Sequence, residues 1–401
     1  MSPWMTRGLR GWANVLAFGL VCFVLLEITS RIFFRYSGSL TGHNTTATWR
    51  INWMNRAHNE TGPELPLPLE MFDPLLGWKN RPSFRNVGPL FGADRVTTNS
   101  NGARGLTDFP YHRSDRKRIV VIGDSFAFGQ EVNDEETYAA MLGSTLGDTE
   151  VINLGVIGYG IDQMLLSVKS EALKYSPDLI IVGYISDDIE RTLVSFRDFA
   201  KPSFVVDSSG RLALVGTPVP PPSVWIANEP WKSKALDTLE ILHSDVRRLV
   251  GVRRTEAFRL TWMLLKEMAH VAEEVHTNIL FVFEPSDTEI VLDNRPDLVA
   301  KDSDAYTSNR AYFTSHVRGI ARFGEKLFVD FTEHERVASL NLAPVFREHH
   351  RDGDTRIDKM GHWNKYGHAL AAAKIAQKIQ SDRLLTPRDE SPISAGTQAG
   401  R

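Results

Sequence analysis

The sequence predicts an α/β protein organised around a parallel sheet, and three short apolar runs carry that prediction. Residues 119–122 (IVVI), 151–154 (VINL) and 179–185 (LIIVGYI) are rich in β-branched residues. Such runs are typical of strands that are buried on both faces of a parallel sheet. The first two runs are followed by a turn or loop and then by a segment with helical spacing. The third run ends at the polar residues 186–188 (SDD). This alternation indicates βαβ units with right-handed crossovers.

Two further runs bring the predicted sheet to about five strands. The fourth strand is expected at residues 278–283 (NILFVF) and the fifth at residues 326–331 (KLFVDF). Helices are expected over residues 138–146, from Asp162, which can cap its helix, to about Tyr175, and over residues 255–276, 309–322 and 368–381.

The chain divides into four predicted parts. Residues 1–35 form an N-terminal segment, residues 36–115 a polar stalk and lead-in, residues 116–383 the folded domain, and residues 384–401 a disordered tail. The domain carries an insertion at about 191–255, in which two strands flank Gly210 and a helix covers about 235–249. Connections of this length are uncommon unless they are functional. The insertion is therefore either a lid that faces the substrate or a surface elaboration.

Bulk composition indicates a folded protein and gives no sign of a nucleic-acid partner. The 401 residues are 42% hydrophobic and 24% charged, with a formal net charge of −3. Cys22 is the only cysteine, so the chain has no internal disulfide and no indicated thiol chemistry.

The N-terminal segment predicts a signal anchor. Residues 12–28 (WANVLAFGLVCFVLLEI) are apolar except for Asn14 and Glu27, and the run reaches the roughly 20 residues that cross a bilayer if Glu27 lies near the far interface. Arg7 and Arg10 precede it, which favours a cytoplasmic N-terminus. A cleaved signal peptide and a buried core helix are the alternatives, but no Ala-x-Ala-type site precedes Phe34. We expect a single-pass inner-membrane protein whose domain faces the periplasm or the exterior.

Four polar segments follow predicted strands or precede the last helix, and together they carry a catalytic prediction. They are residues 123–125 (GDS), 153–158 (NLGVIG), 186–188 (SDD) and 358–364 (DKMGHWN). A serine becomes a nucleophile when a histidine takes its proton and a carboxylate orients that histidine, and N–H groups must meet the developing oxyanion. The candidates for these roles are Ser125, His362, Asp358 and the Gly158 N–H.

Each segment alone has an ordinary structural explanation. A Gly-Asp-Ser sequence is usually a turn, and the 153–158 segment could be a tight connection or a phosphate cradle. His362 could be a satisfied polar residue, and Asp358 a charge at a helix N-terminus. The order of all four segments along the chain favours catalysis.

In this order the segments resemble the SGNH/GDSL hydrolase family, whose marker residues are Ser, Gly, Asn and His. Residues 123–125, 153–158 and 362–364 match three of its blocks, and residues 73–79 and 99–105 resemble the lead-in of membrane-anchored bacterial members. The resemblance implies a flavodoxin-like three-layer α/β/α sandwich. It also implies ester hydrolysis or acyl transfer through an acyl-serine, without a metal or other cofactor.

The chain departs from the family pattern at two positions. The asparagine that donates to the oxyanion falls on Asp187, and an ionised carboxylate only accepts hydrogen bonds. Either Asp187 is protonated, with Asp188 beside it, or it lies outside the oxyanion hole, or activity is weakened. The family aspartate lies two or three residues before its histidine, whereas Asp358 lies four before His362; Asp354 and Asp352 are the alternatives.

These observations together predict a membrane-anchored serine esterase. Its expected substrates are acylated carbohydrates of the envelope or cell surface, such as acetylated ones, an expectation that rests on family analogy and location. Two alternatives belong to other classes: an O-acyltransferase of surface polysaccharide, and a non-catalytic protein for carbohydrate binding or assembly.

Overall fold

The chain folds around a five-stranded parallel sheet, which a computed structural model describes for residues 3–36, 40, 44–59, 68–286, 289–290, 310–350 and 361–386. In chain order, the strands are β1 (Glu70–Asp73), β2 (Gly77–Asn80), β3 (Lys117–Ile122), β4 (Thr149–Asn153), β5 (Leu179–Tyr184), β6 (Ser203–Val206), β7 (Leu212–Val215), β8 (Asn278–Phe283) and β9 (Ser339–Asn341). The central sheet has the order β4-β3-β5-β8-β9, and each neighbouring pair is parallel. This strand order is that of a flavodoxin-like fold, which confirms the predicted class.

Two separate hydrophobic cores lie on the two faces of the sheet. Within β3, Val120 and Ile122 belong to one core, while Ile119 and Val121 belong to the other. Adjacent strand residues point to opposite faces, so a continuous apolar run is what a strand covered on both sides requires.

Helices cover both faces and complete the three layers. Their bounds are α1 (Pro3–Tyr36), α2 (Thr46–Asn59), α3 (Ser125–Phe128), α4 (Tyr138–Leu146), α5 (Ile161–Ser170), α6 (Ser186–Arg191), α7 (Pro222–Asn228), α8 (Lys234–Leu249), α9 (Val252–Glu274), α10 (Arg310–Glu335), α11 (Ala343–His349) and α12 (Lys365–Ser381). Helices α5 and α9 contribute to the core on one face, and α4 and α12 contribute to the core on the other.

The predicted fifth strand was wrong. Residues 326–331 lie inside α10, where Leu327, Phe328 and Phe331 are buried and Lys326 pairs with Asp330 at 2.8 Å, one turn away. Apolar residues at that spacing share one face of a helix, and six residues are too few to distinguish this period from that of a strand. The fifth strand is β9, which has only three half-buried residues at the edge of the sheet.

The predicted stalk contains a helix that packs on the domain. Helix α2 buries Trp53 and Met54, and the Trp53 ring contacts Phe196 and Phe199 of the insertion at centroid distances of 5.7 and 5.3 Å. The insertion itself holds the β6–β7 ribbon and α8, as the sequence predicted. Asp162 does not cap α5, because Gly160 holds that position and Asp162 instead pairs with buried Lys201.

Helix α1 is long and apolar enough to cross a membrane. Residues Trp12–Tyr36 have a mean hydropathy of 2.0, and most of their large apolar side chains are exposed. Residues 387–401 of the predicted tail lie outside the described residues, as do Asp352, Asp354 and Asp358.

Candidate active site

Ser125 lies directly beyond β3, where the strand order changes direction between β4 and β5. It opens the short helix α3, and the Asp124 carboxylate caps that helix by accepting from the Phe126 N–H at 2.9 Å. Gly123 allows the backbone before Ser125 to lie close to the backbone of β5, since a Cβ on residue 123 would lie 2.7 Å from the Gly183 carbonyl oxygen. The strand end and the cap together fix the serine at the carboxyl edge of the sheet, where open α/β folds bind ligands.

His362 contacts Ser125 although 237 residues separate them along the chain. Its Nε2 lies 2.9 Å from the Ser125 Oγ. The next residue anchors this segment: the Trp363 indole is fully buried and donates to the Pro285 carbonyl at 2.8 Å. Asn364 then caps α12 through the N–H groups of its first turn. Two fixed neighbours therefore hold the imidazole in place.

Glu131 completes a three-residue chain, and sequence reasoning missed it. Its Oε1 lies 3.1 Å from the His362 Nδ1. The loop before it folds back on the nucleophile, because Gly129 and Gln130 both donate to the Ser125 carbonyl. Glu131 has a φ of 77°, which is uncommon for a residue with a side chain. The only sequence feature that could have indicated this role is the position of Glu131, an acidic residue in the polar loop six residues after Ser125.

The three side chains form a buried relay. Ser125 and Glu131 are each 5% exposed, and His362 is 8% exposed. With Glu131 accepting from an Nδ1–H, the Nε2 lone pair faces the serine hydroxyl. This assignment of the tautomer follows from the hydrogen-bond partners. The arrangement can therefore move a proton from the Ser125 Oγ to the imidazole.

Hydrogen bonds connect the turn that contains Gly158 to the backbone on both sides of Ser125. The Asn153 side chain donates to the Ala127 carbonyl at 2.7 Å and accepts from the Gly155 N–H at 2.9 Å. The Val156 N–H donates to the Gly123 carbonyl at 3.0 Å. Gly158 has a φ of 80°, and the Asp198 carboxylate occupies the space where its Cβ would lie. Residue 158 therefore has to be glycine.

Arg191 joins three strand ends beneath the site. Its guanidinium donates to the Tyr159 carbonyl at 3.0 Å and to the Asp124 carboxylate at 3.2 Å, and it pairs with Asp188. One buried cation thus fixes the loops that follow β3, β4 and β5. Burial and the nearby Asp124 carboxylate raise the pKa of Asp188.

Asp187 and Asp188 lie in different environments. Asp188 is fully buried and accepts from the Ile185 N–H at 3.0 Å, whereas Asp187 is exposed. The sequence had left open which member of the pair holds a proton. Burial raises the pKa of Asp188.

Burial shifts the pKa of two other ionisable groups near the site, Glu284 and His368, toward the uncharged form. Burial raises the pKa of Glu284 well above its usual value, and the Asp124 carboxylate raises it further. Burial also lowers the pKa of His368 to about 3, and its Nδ1 accepts from the Tyr138 N–H at 3.2 Å. Both shifts favour the uncharged form, and His368 is therefore neutral near pH 7.

Comparisons with known proteins connect the fold to solved structures. No protein-family model matches the chain, and a search of curated proteins finds no match. A lipolytic protein of the G-D-S-L family from Desulfitobacterium hafniense DCB-2 is 15% identical, with a TM-score of 0.38 over 65% of this chain and 99% of that chain. A G-D-S-L family member from Veillonella parvula DSM 2008 is 12% identical, with a TM-score of 0.37 over 65% and 97%.

A third similar structure is a mutant of an acetylxylan esterase from Geobacillus stearothermophilus. It is 11% identical, with a TM-score of 0.38 over 67% of this chain and 96% of that chain. Two of these three proteins carry the name of the family that the sequence motifs resemble.

Proposed function

We propose that the protein is a serine esterase with Ser125 as nucleophile, His362 as base and Glu131 as the residue that orients the histidine. The observation that carries the proposal is the buried relay, with contacts of 2.9 and 3.1 Å. A serine in contact with a histidine whose other nitrogen faces a carboxylate is the arrangement that activates a hydroxyl for acyl chemistry.

The reaction proceeds through an acyl-serine. The Ser125 Oγ attacks the ester carbonyl carbon while His362 takes its proton, and the carbonyl oxygen gains the negative charge. Collapse breaks the bond to the alcohol, which leaves with the proton from His362. Water then attacks the acyl-serine in the same way and releases the carboxylic acid. Glu131 stabilises the imidazolium that forms in both halves.

The proposed oxyanion donors are the backbone N–H groups of Ser125 and Gly158. Losing one such donor typically costs roughly 3 to 4 kcal/mol of transition-state stabilisation. Asp187 contributes a donor only when it is protonated. The proposal therefore relies on the two backbone donors.

The proposed substrates are acyl esters, such as acetyl esters, of envelope or cell-surface carbohydrate. Two features support this step: α1 can anchor the domain at a membrane, and the resembled family acts on esters without a metal. An O-acyltransferase shares every step up to the acyl-serine and differs only in using a sugar hydroxyl in place of water. A binding protein would need neither Ser125 nor His362.

Hydrolysis of p-nitrophenyl acetate by the full chain in detergent tests the proposal. We expect turnover that Ser125→Ala abolishes and that the exposed control Ser144→Ala leaves unchanged. Adding acetylated and free oligosaccharides separates the two chemistries: a hydrolase releases acetate, while a transferase forms a new sugar ester. Turnover that survives in Ser125→Ala would contradict the proposed nucleophile.

A further inference from the structure

Helix α8 carries an apolar stripe that no described part of the chain covers. Leu236, Leu239, Leu242, Val246 and Leu249 are between 46% and 82% exposed. Their spacing of three, three, four and three residues places them along one side of the helix. Contiguous exposed apolar surface of this kind marks contact with a partner or a membrane.

The opposite side of α8 is attached to the domain through charge. Asp237 pairs with the buried guanidinium of Arg50 in α2, and Glu229, just before α8, pairs with the same group. Glu240 accepts from the Ala47 N–H at 3.1 Å. One face of the helix therefore contacts the rest of the protein, and the other face is exposed and apolar.

Hydrogen bonds connect the start of α8 to the C-terminal part of α1. The Glu27 carboxylate accepts from the Ala235 N–H at 2.8 Å and from the Ser233 hydroxyl at 2.7 Å. Three residues further along each helix, the Ser30 and Thr238 hydroxyls lie 2.8 Å apart. Because the contacts advance in the same direction, the two helices run side by side.

These contacts set the depth of α8 if α1 crosses a membrane, the anchoring on which the proposed substrates also rest. From Trp12 to Glu27 an α-helix rises about 22 Å of the roughly 30 Å hydrocarbon core. The first turn of α8 then lies in the outer part of the bilayer. Trp231, just before that turn, is 87% exposed, and tryptophan is enriched at membrane interfaces.

We infer that the stripe on α8 is a second membrane contact, with Leu236 and Leu239 among the acyl chains of the outer leaflet and Leu242 at its headgroup boundary. Arg31 supports this placement, because it donates to the carbonyls of Pro230 and Lys232 and so satisfies polar groups at the same depth. A helix anchored at α1 and seated in lipid restricts rotation of the domain. The active site is thereby held in one orientation toward the membrane.

Depth-dependent fluorescence quenching in vesicles tests this inference on the full chain. An environment-sensitive label is placed on the native Cys22, which is exposed in α1, or on Leu239→Cys in a Cys22→Ser background. The control is Val205→Cys in the same background, an exposed apolar position on the β6–β7 ribbon. The quenchers are phospholipids with a nitroxide either shallow or deep in the acyl chain, and thermal unfolding verifies that each variant folds.

We expect loss of fluorescence at Cys22 and at Leu239→Cys, with the latter quenched best by the shallow nitroxide, and no loss at Val205→Cys. Quenching at Cys22 alone would overturn the inference and leave the anchor standing. No quenching at Cys22 would refute the anchor, and with it this inference. Disulfide-linked dimers of Leu239→Cys without quenching would assign the stripe to a second copy of the chain and overturn contact with lipid.

Discussion

The Glu131 carboxylate lies 3.1 Å from the Nδ1 of His362, the nitrogen that faces away from Ser125. This contact places the orienting acid in the loop directly after the nucleophile. The segment just before the histidine, where the sequence predicts Asp358, lies outside the described residues. The relay of the described residues is therefore formed by the loop after β3 and by His362, three residues before α12.

Replacing Glu131 tests which acid orients His362. We expect Glu131→Gln to lower kcat by roughly 10³- to 10⁴-fold, because an amide no longer stabilises the imidazolium. The exposed control Glu135→Gln should retain wild-type kcat. The measurement is steady-state hydrolysis of p-nitrophenyl acetate. A large loss in Asp358→Asn together with a small one in Glu131→Gln would return the role to Asp358.

Gly158→Ala tests the proposed oxyanion donor. The new methyl group meets the Asp198 carboxylate, so the turn must shift and its N–H must move. We expect kcat to fall at least about 100-fold, the typical effect of losing one donor. Gly210→Ala is the matched control, since Gly210 has a φ of 79° but open space around it. Equal activity in both variants would remove Gly158 from the site.

Arg191→Met should destabilise the whole domain. It leaves the Asp124 and Asp188 carboxylates buried without their shared cation, a change that typically costs about 3 to 5 kcal/mol. The free energy of unfolding from a urea titration measures the effect. Arg211→Met, which removes an exposed ion pair with Asp207, should change that free energy by less than about 1 kcal/mol. Similar changes in the free energy of unfolding for the two variants would contradict the role of Arg191 in stabilising the loops after β3, β4 and β5.

Glu289 should make stability fall as pH rises. Burial raises its pKa to about 7, above the ordinary value of 4.5. The folded state therefore keeps the proton longer than the unfolded chain does. This contribution to stability is complete below pH 4.5 and is lost as pH rises through 7, with a slope of up to about 1.4 kcal/mol per pH unit.

Glu289→Gln should remove that component of the pH dependence, as urea titrations between pH 4.5 and 7 would show. The exposed residue Glu333 provides the comparison, because Glu333→Gln should leave the slope unchanged. An unaltered slope in Glu289→Gln would show that other groups set the pH dependence.

Sequence reasoning found the parts of the molecule that local pattern determines. The apolar runs at β3, β4, β5 and β8 predicted the sheet, and the GDS and HWN segments predicted the contact between Ser125 and His362. It failed for β9 and residues 326–331, where a short apolar pattern fits both a helix and a strand. It also missed Glu131, because no local motif distinguishes this residue from the other acidic residues of the loop after Ser125.

Covalent labelling of the full chain with a fluorophosphonate, mapped by mass spectrometry, tests directly whether Ser125 is an activated nucleophile. Such a probe reacts with a serine only when a base activates its hydroxyl. We expect one label, on Ser125, that is lost in Ser125→Ala and that forms much more slowly in His362→Ala. A folded chain that stays unlabelled at Ser125, or whose labelling rate is unaffected by His362→Ala, would contradict the proposed nucleophile and relay.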